Sequence, residues 1–182
     1  MEQETKKIAL FGGSFNPPHA GHLAIVRRLA RRKGLDEVWI LPVYRHRFRK
    51  RLFPFQDRMR LCRQVFLPLS PKVSVRPDER KVPESGKPGS GRTYFLIRYL
   101  KKRYPRHRFS LVLGRDAYQQ RASWYRFDLI EKEVGLIIFP RGPGSFIPNV
   151  ASRRVRRSGK IDPRLPEAVR RYLARRFKDQ PN

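Results

Sequence analysis

The sequence predicts a doubly wound α/β fold, a mainly parallel sheet with helices on both faces. Three observations carry the prediction. Short apolar runs of strand length alternate with longer amphipathic stretches along the chain. The runs are continuous rather than alternating, as expected of strands buried on both faces. Glycine closes two of them, at Gly12-Gly13 and at Gly114, and open parallel sheets receive ligands at strand ends of that kind. With 182 residues, one domain spanning 1–182 is expected, long enough to bury a real core.

Ile8-Ala9-Leu10-Phe11 is the first expected strand, and residues 23–30 follow as a helix with Leu23, Val26 and Ala30 on one face. Glu37–Pro42 is a second buried strand, with Trp39 in the core. Pro54 opens a helix running to about Leu69, and Lys72–Val75 is a third strand. Residues 83–92, PESGKPGSGR, are the one stretch rich in Gly, Ser and Pro. They read as a flexible surface loop rather than a domain boundary, because neither flank has a core of its own. Thr93 is expected to N-cap a helix through Tyr104, closed by Pro105. Phe109–Leu113 and Gly135–Phe139 are the fourth and fifth strands. A short strand over 147–150 and a helix from Pro166 to Phe177 complete the order, with no internal repeat.

Lys and Arg number 43 against 15 Asp and Glu, a net charge of +28 spread along the chain. Such a surface attracts phosphates, so non-specific nucleic acid is a possible partner through it. No stretch has the apolar length to span a bilayer, and MEQETKK lacks the apolar core of a signal peptide, so no membrane partner and a cytoplasmic location are expected. The single Cys62 cannot form an internal disulfide and reads as a buried structural thiol. Hydrophobic content of 39 % argues against wholesale disorder.

The stretch carrying chemistry is FGGSFNPPHAGH, residues 11–22, between the first strand and the first helix. Gly12 and Gly13 are expected to turn the backbone sharply and let it approach a ligand. The N–H groups of Ser14 and Phe15, with the helix start near Ala20, form a cradle for phosphate oxygens. His19 and His22, three apart, project from one helical turn as donors to a polyphosphate. No G-x-x-x-x-G-K-[ST] is present, and H-x-x-H without nearby Cys or acidic ligands is weak for zinc, so no protein-held metal is assigned. Asp116 follows Gly114-Arg115 at a strand end, where it suits a ligand hydroxyl or the cap of the next turn. Arg58, near a helix start, reads as a surface or packing residue.

GGSFNPPHAGH resembles the N-terminal signature of the nucleotidylyltransferase superfamily, with its H-x-G-H core. Three further segments are similar to bacterial nicotinate-mononucleotide adenylyltransferases, so that the resemblance covers nearly the whole chain: LPVYRHRFRK with PFQDRMRLC, VLGRDAYQQRASWYRFD, and VASRRVRRSGKIDPRLPEAVRRYL. The resemblance implies a Rossmann-like fold and adenylyl transfer from ATP to nicotinate mononucleotide in NAD biosynthesis, with Mg2+ carried on the ATP phosphates. It implies His19 and His22 at the triphosphate, Ser152 and Arg156 closing over it, and Gly12, Gly13, Ser14 and Phe15 around it. It implies further that Lys50 approaches substrate phosphate and that Thr93, Gly114, Asp116 and Trp124 hold the mononucleotide, Trp124 by stacking on the nicotinate ring. The chain departs from the family pattern at Ala151 and Arg153, usually Ser and Thr, with Ser152, Val155 and Arg156 matching. It departs also at Arg115, usually Ala, and at Phe95, often Asp. Two other readings stay open. One is nucleotidyl transfer to a different phosphorylated acceptor, and the other is a basic nucleic-acid-binding protein on a degenerate fold of this kind.

Overall fold

The structure is a computed structural model that describes residues 4–45, 52–84, 87–88, 92–140, 145–148, 161–163 and 165–178. Strand β1 (Lys7–Gly13) leads to helix α1 (Ala20–Ala30), β2 (Glu37–Pro42), α2 (Phe55–Phe66) and β3 (Val73–Val75). An antiparallel hairpin follows, β4 (Pro83–Glu84) with β5 (Lys87–Pro88), and then α3 (Thr93–Arg103) and β6 (Arg108–Gly114). Two short helices, α4 (Arg115–Gln119) and α5 (Phe127–Glu133), precede β7 (Gly135–Phe139), and α6 (Glu167–Lys178) ends the order.

Five strands form one sheet in the order β3-β2-β1-β6-β7, and every neighbouring pair is parallel. The chain winds outward from β1 to β3 and then returns to the other side of β1 as β6. That reversal makes the β1–β6 boundary a topological switch point. Successive side chains of a strand point to opposite faces, and the core divides accordingly. Ala9, Phe11, Val38, Ile40 and Val112 face α1, α2 and α6, while Ile8, Leu10, Trp39, Leu41 and Leu111 face α3 and α5. The expected doubly wound architecture is therefore present, with Trp39 in the core.

The pairing of β1 is unequal on its two sides, and this opens the site. With β2 it runs from Ile8–Glu37 to Gly13–Pro42, and Val43 N–H continues it to the Gly13 carbonyl at 2.9 Å. With β6 it runs only from Lys7–Arg108 to Leu10–Leu111. Beyond that pair the two central strands part, while β6 stays with β7 through Gly114–Phe139.

Several expectations change at the level of elements. The buried stripe of α1 is Gly21, Ile25, Val26 and Leu29, so Leu23 and Ala30 only flank it. Thr93 is the first helical residue of α3 rather than its cap, because the extended backbone of Arg92 places the boundary one residue earlier. Helix α2 stops at Phe66, and Leu67–Leu69 tighten into a 3-10 turn. Ile147 lies in a buried bend rather than a strand, and residues 149–150 fall outside the described residues. Within 83–92, Pro83–Glu84 and Lys87–Pro88 pair as the β4–β5 hairpin, and residues 85–86 and 89–91 fall outside the described residues. Cys62 is fully buried, and burial pushes its thiol pKa well up, so it stays a protonated packing group. Among the described residues no helix is long and apolar enough to cross a membrane.

Candidate active site

Where β1 and β6 part, a cavity of about 450 Å³ opens, within the size range of small-molecule sites. It gathers Gly12, Gly13 and Ser14 from the end of β1, His22 from α1, Thr93 from α3, and Gly114, Asp116 and Trp124 from β6 and beyond. These were the candidates from four separated stretches, and one space brings them together. Phe15 and His19 stand behind its wall, 1 % and 3 % exposed. Lys50, Ser152 and Arg156 lie outside the described residues, as do Ala151, Arg153 and Val155.

The loop after β1 turns differently from the sequence expectation. Gly12 and Gly13 remain in the strand, and the left-handed backbone falls on Phe15, with φ 43°. A bulky residue there costs on the order of 1–3 kcal/mol. Burial of the Phe15 ring offsets it, since burying a Phe side chain contributes about 1.5–3 kcal/mol. The ring sits edge-on against Phe11 at 5.5 Å, Phe66 at 5.6 Å and His22 at 4.9 Å. Gly13 is glycine for the same reason, because a Cβ there would stand 3.2 Å from the Phe15 ring. Asn16, which precedes a cis Pro17, is 1 % exposed, and its Oδ1 accepts from Phe53 N–H at 2.7 Å.

His19 is the N-cap of α1, and its N–H donates to His22 Nδ1 at 3.2 Å. An accepting Nδ1 carries no proton, so the ring proton of His22 sits on Nε2. His22 thus offers a defined N–H donor from a ring that lines the cavity. The two imidazoles stack at 3.7 Å between centroids, tilted by 27°. Gly21 permits this packing, because a Cβ there would lie 3.1 Å from the His19 ring and 3.2 Å from the Pro148 carbonyl oxygen. The positive end of the α1 dipole lies at the same point, beside the cradle.

The opposite wall is aromatic. Half-buried Trp124 packs edge-on to Phe127 at 5.7 Å and lines the cavity. Tyr125 lines it too, with the Arg92 guanidinium 4.6 Å above its ring and Phe95 stacked on it at 5.5 Å. Asp116 is exposed in the first turn of α4, whose N-cap is Gly114. Arg115 is exposed and Phe95 supports Tyr125, and neither lines the cavity. The cation on this wall is Arg92.

Sequence reasoning missed Arg92 and Tyr125, and it left Arg58 between a surface and a packing role, of which the structure shows the buried one. Arg58 is 1 % exposed, and its guanidinium donates to the carbonyls of Phe53 at 3.0 Å, Ser14 at 2.9 Å and Tyr44 at 3.5 Å. Burial lowers its pKa from the usual arginine value. A signal for it exists, because Arg58, Leu61, Cys62 and Val65 share one helical face and the other three are apolar.

Comparison with known proteins places this geometry. The model of the cytidylyltransferase-like family matches residues 10–167. A relative from Anaeromyxobacter dehalogenans strain 2CP-C, named for nicotinate-nucleotide adenylyltransferase, is 35% identical over 178 residues, which cover 92% of this chain and 94% of the relative. A relative of the same name from Myxococcus xanthus is 33% identical over 136 residues, 74% of this chain and 68% of its own length. Two solved structures share the fold. A Vibrio parahaemolyticus chain described as a nicotinate-nucleotide adenylyltransferase superimposes with TM-score 0.73 at 24% identity, covering 93% of this chain and 99% of that one. The Plasmodium falciparum nicotinic acid mononucleotide adenylyltransferase complexed with NaAD gives 0.71 at 18% identity, covering 94% and 98%.

Proposed function

Because the chain belongs to the cytidylyltransferase-like family, and within it to the nicotinate-nucleotide adenylyltransferases, we propose that it joins ATP and nicotinate mononucleotide into nicotinate adenine dinucleotide, releasing pyrophosphate. The observation that carries this reading is the cavity between β1 and β6, with the His22 Nε2–H donor on one wall and Trp124 on the other. An oxygen of the mononucleotide 5′-phosphate attacks the α-phosphorus of ATP. The bond from that phosphorus to the bridging oxygen breaks, and pyrophosphate leaves with the electron pair. The nucleophile is already an anion, so no base and no covalent intermediate are required. Catalysis then consists of positioning and of donors aimed at the phosphoryl oxygens.

In this reading His22 and the start of α1 hold the triphosphate, with Gly12, Gly13, Ser14 and Phe15 as the backbone cradle and His19 orienting His22. Trp124 stacks on the pyridine ring, Asp116 takes a ribose hydroxyl, and Thr93 and Gly114 border the mononucleotide. Lys50, Ser152 and Arg156 are assigned to phosphates by family resemblance alone. Mg2+ enters as the ATP chelate, which suits a site built from N–H donors. Among the described residues no group of three or more His, Cys, Asp or Glu could hold a metal ion. Reaction and protein are placed in the cytoplasm, where both nucleotides are available. The deciding experiment is pyrophosphate release with ATP and a panel of phosphorylated acceptors. Release with nicotinate mononucleotide supports the assignment, and release with phosphopantetheine alone redirects it.

The net charge of +28 favours a second role for the surface. If it gathers anionic substrates, kcat/KM falls several-fold as added salt brings the Debye length below about 10 Å, while kcat changes less. A flat kcat/KM together with steeply salt-dependent RNA binding assigns the charge to nucleic acid instead.

The acid is expected to be preferred over nicotinamide mononucleotide by at least about tenfold in kcat/KM, or about 1.4 kcal/mol. Arg92 and the N-terminal N–H groups of α3 only donate, which suits a carboxylate and opposes the NH2 of an amide. Arg115→Ala should leave the ratio unchanged because Arg115 lies outside the cavity, whereas Arg92→Ala should narrow it. Equal use of both mononucleotides by the wild type refutes this assignment.

A further inference from the structure

The loop that carries the backbone cradle is held from behind by one side chain. Arg58 reaches from α2 to three stretches of main chain: Ser14 after β1, Tyr44 after β2, and Phe53 before its own helix. Asn16 joins the same assembly, since its Oδ1 accepts from the N–H of the Phe53 whose carbonyl binds Arg58 Nε. The guanidinium also lies 5.4 Å from the Phe55 ring centroid. A planar fork of five donors suits such a junction, because it satisfies carbonyls in several directions at once.

The contact with Ser14 matters most. In a trans peptide the C=O and the following N–H point in opposite directions. Arg58 Nη1 holds the Ser14 carbonyl at 2.9 Å, so the Phe15 N–H of that same peptide is turned away from Arg58. Ser14 lines the cavity and Arg58 does not, so the loop backbone stands between the arginine and the cavity. The left-handed φ of Phe15 gives this peptide few alternative orientations once the carbonyl is pinned.

We propose that Arg58 is a positioning residue for nucleotidyl transfer: by holding the Ser14 carbonyl it fixes the Ser14–Phe15 peptide of the loop that borders the ATP phosphates. The proposal rests on the adenylyl-transfer reading above and adds to it a residue that never touches substrate. A merely structural arginine would, when replaced, lower stability and depress all kinetic constants alike. A positioning arginine acts on the nucleotide whose phosphate its loop receives.

The test combines kinetics with amide NMR. Arg58→Met, similar in reach but without donors, is expected to lower kcat/KM for ATP by about thirtyfold, part of the loss seen when an aimed donor is removed outright. The KM for the mononucleotide should stay within about twofold, and Arg58→Lys, which keeps one donor direction, should recover part of the loss. In the wild type, the Phe15 amide resonance should move when a non-hydrolysable ATP analogue saturates the protein. Wild-type kcat/KM for ATP in folded Arg58→Met overturns the proposal, and so does an equal loss for both substrates. Should Arg58→Met fail to fold, the wild-type Phe15 amide decides alone. A protein that binds the analogue with that amide unmoved overturns the proposal while leaving the transfer reading intact. A protein that neither binds the analogue nor releases pyrophosphate overturns both.

Discussion

Replacing His22 with alanine is expected to lower kcat by at least about a hundredfold, as loss of one preorganised donor to a developing anion does elsewhere. The structure separates this catalytic cost from a structural one. His22 Nδ1 accepts the N-cap N–H of His19, a contact whose loss costs about 1 kcal/mol, as loss of a cap does. Its Nε2–H is the donor assigned to phosphate. His22→Asn places an acceptor near Nδ1 and nothing near Nε2, so it should keep thermal stability close to wild type and still lose activity. Pyrophosphate release and thermal unfolding measured on both variants decide the matter. If either variant, normally folded, turns over at the wild-type rate, His22 has no part in catalysis.

Gly21→Val is expected to cost about as much activity through geometry alone. Even a Cβ at this position would stand 3.1 Å from the His19 ring and 3.2 Å from the Pro148 carbonyl oxygen, and valine adds two methyl groups beyond it. The His19 ring is almost fully buried and stacked on His22 at 3.7 Å, so it cannot retreat without carrying its partner. Overpacking of this kind destabilises by about 1–3 kcal/mol. A displacement near 1 Å at a reacting centre can cost a hundredfold in rate. The expected result is a folded protein with a lowered melting temperature and kcat/KM down by about two orders of magnitude. Wild-type kinetics in Gly21→Val would show that the histidine pair tolerates displacement.

The strands were legible because their apolar runs are continuous and bounded by glycine or proline, as in Glu37–Pro42, which ends at proline, and Gly135–Phe139, which begins at glycine. Helices α4 and α5 were not, since five and seven residues are too few for a helical period to stand out. At the cavity, His22 and Asp116 were legible because a motif and a strand end locate them, and Trp124 through the resemblance of its segment to the family. Arg115 and Phe95 depart from the family pattern beside the site in sequence, but neither lines the cavity. A neighbour on a helix points about 100° away, so standing beside Asp116 in sequence does not bring Arg115 into the cavity. Arg58 was left between surface and packing because a charge at a helix start ordinarily faces water. Its place on the stripe of Leu61, Cys62 and Val65 was the better guide.

The short ladder between β1 and β6 also says when, in the life of the chain, the site can exist. Leu10 and Leu111, the last pair before the strands part, lie about a hundred positions apart, so their union closes the kind of long loop that slows folding. By contrast, β1, β2 and β3 join one another across a single intervening helix each. A nascent chain that has left the ribosome only as far as β3 has no cavity. The wall bearing Asp116 and Trp124 does not yet exist. Competence to bind two nucleotides therefore arrives with β6, late in synthesis, and the capacity for catalysis is a report that both halves of the chain have met.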